Sequence, residues 1–248
     1  MEILKFTLSG RTAFFKKPEL NAYVYHTYKS IHKVAILGIF GSILGLDGYR
    51  GKREKGAFPE FYQKLKDVKV GIKCNAKNSY IPAKIQLFNN TVGYASAEAG
   101  GILNVREEWL ENPGWDVYVL LESDISRELA KFLLDSRCVY VPYLGKNDHP
   151  ADISGVKVYS GKKPLEKYGK IDSLMIKNKA EFYSYDDYME EQEEEEDFSL
   201  YHYEEELPVR LDEVHRMHEC ENFVATNLWV KKYADAVYEL DGDYIVFW

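Results

Sequence analysis

Three features of the sequence predict an α+β fold of the ferredoxin-like (RRM-like) kind, with element order βαββαβ. Strand-like alternation and helical periodicity follow one another as β-α-β, twice over. An insertion of about 40 residues separates the two units, too long for an ordinary connection and so expected to be a projecting, functional hairpin. A β-containing extension follows, with a strong hairpin signal near its end.

Residues 3–8 alternate as a first strand that ends at Ser9-Gly10. A basic and aromatic connection leads from Arg11 to Ser30. A helix is expected from His32 or Lys33 to Leu46, stopped by Asp47-Gly48. Residues 69–74 alternate as the second strand. The insertion at about 75–114 is polar and glycine-rich, with strand-like pieces at 83–88 and 102–109. Residues 115–121 give the third strand. Asp124 is placed to cap a helix that carries Ile125, Leu129, Phe132 and Leu133 at helical spacing. Val139-Tyr140-Val141 is expected as the fourth strand, ended by Pro142. Beyond Gly145 the pattern weakens, with strand-like pieces at 156–159 and 173–176. Residues 237–240 and 243–247 then flank Asp241-Gly242, a pair suited to a type I′ turn. The expected division is a first domain over 1–150, holding the insertion, and a C-terminal extension over 151–248.

With 46% hydrophobic and 15% aromatic residues, the 248-residue chain has an ordinary globular composition, enough for one large domain or two small ones. Residues 1–9 alternate and do not run apolar, so no secretory signal is expected. The longest apolar run, 34–46, falls short of the roughly 20 residues a membrane helix needs. Cys74, Cys138 and Cys220 are odd in number and widely spaced, which suits a reducing cytosol. Disordered, secreted and membrane classes are excluded on these grounds.

Charge is unevenly placed. Residues 1–90 hold 16 basic and 6 acidic side chains, and residues 181–248 hold 4 and 21, within a net charge of −8. A basic N-terminal third beside an acidic tail is the balance expected if one face meets phosphate and another faces water or a basic protein.

The first helix is apolar all round and so should be buried. Ala35, Gly38, Gly41, Ser42 and Gly45 gather on one side of it, leaving bare backbone. Each glycine costs about 1 kcal/mol of helix propensity against alanine, so a compensating contact is required. That contact is either close packing on the sheet, or approach by an RNA backbone or partner subunit. Between Arg11 and Lys33, the cations Arg11, Lys16, Lys17, Lys29 and Lys33 interleave with Phe14, Phe15, Tyr23, Tyr25 and Tyr28. Single-stranded nucleic acid is held by that pairing of cations with stacking rings. Asn21, His26, Thr27, Ser30 and His32 add donors and acceptors for sugar, phosphate and base edges. Several of the aromatics must instead serve the core.

Other chemistries find less support. His215-x-x-His218-x-Cys220 lacks a fourth ligand nearby and reads as an exposed acidic helix, so no metal is expected. Seven acids over residues 190–197 read as a solvated loop without the spacing of a calcium site. Neither nucleotide-binding glycine motif is present, no cofactor is expected, and nothing supports nucleophilic catalysis.

The run Leu8-Ser9-Gly10-Arg11-Thr12-Ala13-Phe14-Phe15-Lys16-Lys17-Pro18 resembles the opening of the Cas-five family of CRISPR-associated proteins, in its type I-B form. Asn21, residues 25–33 and residues 37–46 extend the likeness, and Pro142-Tyr143-Leu144-Gly145-Lys146 with Pro150-Ala151 is similar to a second family motif. The resemblance implies a non-catalytic subunit of a prokaryotic, cytoplasmic Cascade surveillance complex of the RAMP superfamily. Such a subunit caps the 5′ handle of the crRNA in antiviral defence and touches the backbone subunit, the large subunit and target DNA near the PAM. A hairpin thumb would fall in the insertion, with Lys77, Tyr80, Lys84, Asn89 and Asn90 meeting RNA, while Gly145 and Lys146 approach the handle. The chain departs from the family in having Lys29-Ser30-Ile31-His32 where many members carry Pro-Pro. The alternative is a metal-independent endoribonuclease acting on repeat RNA, with His26, Tyr28, His32 and Lys33 supplying acid–base and cationic groups.

Overall fold

The computed structural model describes residues 1–18, 23–49, 56–89, 91, 97, 101–183 and 200–248; Asn21, Asn90 and the acidic run 190–197 lie outside the described residues. The fold is mixed α/β, with antiparallel sheets and few helices. In chain order the strands are β1 (Ile3–Ser9), β2 (Thr12–Ala13), β3 (Val70–Cys74), β4 (Ala83–Asn89), β5 (Asn104–Glu111), β6 (Gly114–Leu120), β7 (Asp152–Tyr159), β8 (Met175–Ile176), β9 (Ala180–Phe182), β10 (His202–Leu211), β11 (His218–Thr226), β12 (Val230–Tyr233), β13 (Val237–Leu240) and β14 (Asp243–Val246). The helices are α1 (Lys33–Leu44), α2 (Glu60–Leu65) and α3 (Asp124–Leu134).

The main sheet has the order β3-β6-β1-β7 and is antiparallel throughout. β1 and β3 both lie antiparallel to β6, so they run parallel to each other with a strand between them. The connection carrying α1 and α2 crosses over that strand, and β6, α3 and β7 repeat the device around β1. Leu4, Phe6 and Leu8 of β1 point to the helical side, where Phe6 meets Phe40 of α1 edge-on at 6.2 Å. Ile3, Tyr118, Leu120 and Tyr159 share a second cluster with Leu240, Ile245 and Phe247, so the β13–β14 hairpin covers the opposite face.

α1 is apolar all round because it is sandwiched. One side packs on the main sheet and another meets β10, whose Leu207 and Leu211 join the same core. Its end differs from the expected Asp47-Gly48 stop. Gly45 adopts φ +76°, and Leu46 N–H bonds Gly41 C=O at 2.9 Å, a Schellman closure that needs a residue tolerant of the left-handed region.

Several elements differ from expectation. Residues 139–141 are not a strand: the Val139 and Tyr140 amides donate to the carbonyls of Ile43 and Ser42, capping the end of α1. The fourth strand of the sheet is β7, which begins just past residue 150. Ser123, not Asp124, caps α3, through a capping box with Ser126. His218 and Cys220 lie on β11, so the helix expected there is replaced by a turn and a strand. The insertion does form a hairpin, β4–β5, extended by β2 into a three-stranded sheet.

Candidate nucleic-acid interface

A groove of about 1190 Å³ runs along the small-residue side of α1. Ala35, Gly38, Gly41 and Ser42 line it from α1, together with Phe14, Phe15 and Lys16, with Tyr140, Tyr143, Gly145 and Lys146, and with the carboxylates of Asp47 and Glu107. The two segments that carried the family resemblance therefore meet at one groove. Phe14 N–H bonds Leu144 C=O at 3.1 Å and ties the two segments together. Gly145 makes that approach possible: at φ +90°, a Cβ there would fall 1.8 Å from the Phe14 carbonyl oxygen.

Lys146 stands at the rim under control of the hairpin. Its ammonium lies 3.0 Å from both carboxylate oxygens of Glu107, which is buried and also accepts Trp109 Nε1–H at 2.8 Å. The same ammonium sits over the rings of Phe88 and Phe14 at 5.2 and 5.6 Å. His149, fully buried, shares a 2.6 Å hydrogen bond with Thr12 Oγ1 and meets the Trp109 ring at 4.6 Å, while its Nε2 has no hydrogen-bond partner among the described residues. Burial, with Lys146 nearby, holds the His149 pKa below the usual imidazole value.

Residues 15–17 pair with 26–28 as a short ribbon, through Lys17 N–H to His26 C=O and Tyr28 N–H to Phe15 C=O, both at 2.9 Å. Lys16 stays exposed on it, its ammonium 4.0 Å from the centre of the Tyr25 ring. Lys17 turns the other way and pairs with the largely buried Glu205 of β10 at 2.8 Å. Exposed His26 and half-buried Lys29 both meet Glu108 of β5. Although burial opposes it, these partners hold the Glu108 carboxyl below its usual range.

The inner side of this segment serves the fold. Thr27 is buried, its hydroxyl accepting the Phe15 amide and donating to Tyr28 C=O, each at 2.9 Å. Tyr28 and Ser30 are buried too, and the Lys33 ammonium donates to Trp248 C=O at 3.2 Å. Burial brings the Lys33 pKa down to about 8. His32 caps α1, accepting the Ala35 amide at Nδ1, and burial with His218 close by lowers its pKa to about 3. It lines the groove as a neutral ring.

Of the residues expected to meet RNA, the groove gathers Lys16, His32, Gly145 and Lys146. Arg11 is exposed beside β2, and Lys77 and Tyr80 are exposed before β4. On the hairpin, Lys84 pairs with Glu111 at 2.9 Å, and Asn89 accepts the Thr91 amide at 2.8 Å. Sequence reasoning missed Glu107, Glu108 and Glu205, which set the positions of the cations. It also missed Phe61 of α2, which closes on Gly41 so tightly that a Cβ there would lie 2.5 Å away. Among the described residues no cluster of His, Cys, Asp and Glu could hold a metal ion, and no helix is long and apolar enough to cross a membrane.

No protein-family model and no curated protein matches the sequence. Solved structures do match the fold. One is a CRISPR RNA-guided surveillance complex, 13% identical over 92% of this chain and 91% of that chain, with a TM-score of 0.53. Another is a CRISPR protein from Archaeoglobus fulgidus, 11% identical over 99% and 98% of the two chains, with a TM-score of 0.51. The chain shares their fold. That likeness extends over almost the whole length of both chains.

Proposed function

We infer that this chain is a non-catalytic subunit of a type I-B Cascade complex, and that it binds and caps the 5′ handle of the crRNA. The observation that carries the reading is the groove, where the two segments resembling the Cas-five family meet. It combines cations at its rim with aromatic rings and bare helix backbone, the inventory for holding a single strand. The strand order β3-β6-β1-β7 with its two crossovers is read as the ferredoxin-like arrangement of RAMP proteins. The β4–β5 hairpin is the thumb in this reading, placed to meet RNA and the neighbouring backbone and large subunits. The fold shared with a subunit of an RNA-guided surveillance complex supports this assignment. Tyr28 and Lys33 are buried and committed to internal contacts, which favours holding RNA over cutting it.

The test is to co-express the chain with transcribed repeat–spacer RNA and sequence the RNA that copurifies. Bound molecules sharing one repeat-derived 5′ segment are the expected result. Recovery of no RNA, or of RNA without a common end, overturns the reading.

A further inference from the structure

Two of the helical glycines in α1 and its cap are explained by the fold, and one is not. Gly45 is required by its left-handed backbone, and Gly41 by the Phe61 side chain. Among the described residues Gly38 has nothing within 4 Å of where its Cβ would stand, so alanine would fit without a clash and would suit the helix better. No contact among the described residues accounts for this glycine, and it lines the groove beside Ala35 and Ser42.

A second observation at the same place points outward. His32 is 6% exposed and lines the groove. Its Nδ1 accepts the Ala35 amide, which leaves the ring proton on Nε2, and that N–H has no hydrogen-bond partner among the described residues. That donor is therefore open to a ligand or to water. Exposed Tyr140 and Tyr143 border the groove, and Lys16 supplies positive charge at its rim, where Lys146 is paired with Glu107.

Resting on the handle-binding reading above, we propose that one unpaired RNA nucleotide lies in this groove, its sugar–phosphate backbone against α1 at Gly38. His32 Nε2–H donates to an oxygen of that backbone, and Tyr140 and Tyr143 offer faces for the base. The glycine is kept because a side chain would hold the ribose off the helix.

The test uses the full chain, a short labelled single-stranded RNA and a salt series, with Gly38→Ala, Gly38→Ser and Gly38→Leu measured for both binding and melting temperature. Gly38→Ala is expected to melt at or above the wild-type temperature yet bind more weakly. Gly38→Leu should lose at least about tenfold in affinity, the loss of one good contact. Wild-type binding that weakens with salt, together with unchanged affinity in all three variants, would overturn the subsite and leave the handle-binding reading standing. Absence of salt-sensitive binding by the wild-type chain would overturn that reading and the subsite with it. Should Gly38→Leu fail to fold, Gly38→Ala and Gly38→Ser decide the question.

Discussion

The Lys146 ammonium lies 3.0 Å from the Glu107 carboxylate, and through that pair the loop after α3 is fastened to the β4–β5 hairpin. Glu107 is buried, so its charge depends on Lys146 and Trp109 for compensation. Removing the charge but keeping the shape loosens the hairpin and releases a cation at the groove rim. Glu107→Gln is expected to lower stability by about 1–3 kcal/mol and to steepen the salt dependence of RNA binding. Denaturant melts and a salt-titrated binding curve check both halves. A variant with wild-type values in both would mean that the pair holds nothing.

Lys16 and Lys17 are neighbours in sequence with opposite assignments. Lys16 faces solvent on its ribbon, whereas Lys17 compensates Glu205, whose side chain is 8% exposed. Lys16→Ala should weaken RNA binding and reduce the salt slope by about one unit while leaving stability unchanged. Lys17→Ala should destabilise the fold by about 1–3 kcal/mol, because Glu205 keeps its bonds from the Lys29 amide and the Tyr203 hydroxyl but loses this ion-pair partner. Equal effects of the two variants on the salt slope would contradict this division.

Gly145 is needed by the backbone for two reasons, its φ of +90° and its contact with Phe14 C=O. Gly145→Ala is expected to cost about 2–4 kcal/mol and to open the groove. Its melting temperature should fall while that of Gly38→Ala does not. A normal melting temperature for Gly145→Ala would show that the loop is not seated on Phe14.

Acid should weaken the fold well before carboxylates titrate. Burial lowers the pKa values of His32, His149 and His218, so the unfolded chain binds protons that the folded chain refuses. For His32, stability present above the ordinary histidine value of about 6.5 is then lost progressively as pH falls toward 3. Urea midpoints at pH 7 and pH 5 should differ, and His32→Asn, which keeps a capping side chain, should shrink the difference. An unchanged difference would place the pH dependence elsewhere.

Much of the fold was legible because its signals are local. Alternation in residues 3–8 gave β1, and Asp241-Gly242 adopts positive φ at both positions, as a type I′ turn needs. The apolar girth of α1 correctly implied burial, since sheets press on it from both sides. The fourth strand was misplaced because three alternating residues are too few to separate a strand from an exposed loop. Val139, Tyr140 and Val141 are all more than half exposed. β10 and β11 escaped notice because glutamates and histidines occupy so many of their positions, hiding the inward-facing residues. The cations of the groove were visible in sequence. Their long-range carboxylate partners were not, because the pairs of Lys17 with Glu205 and Lys146 with Glu107 are made only by the tertiary fold.

The most direct test of the account incubates the purified chain with labelled repeat RNA and EDTA over a range of salt concentrations. A native gel reports binding and a denaturing gel reports cutting. The account predicts a shifted complex that fades steeply as salt rises, with the RNA intact. A discrete cleavage product, or no salt-sensitive complex, would contradict it.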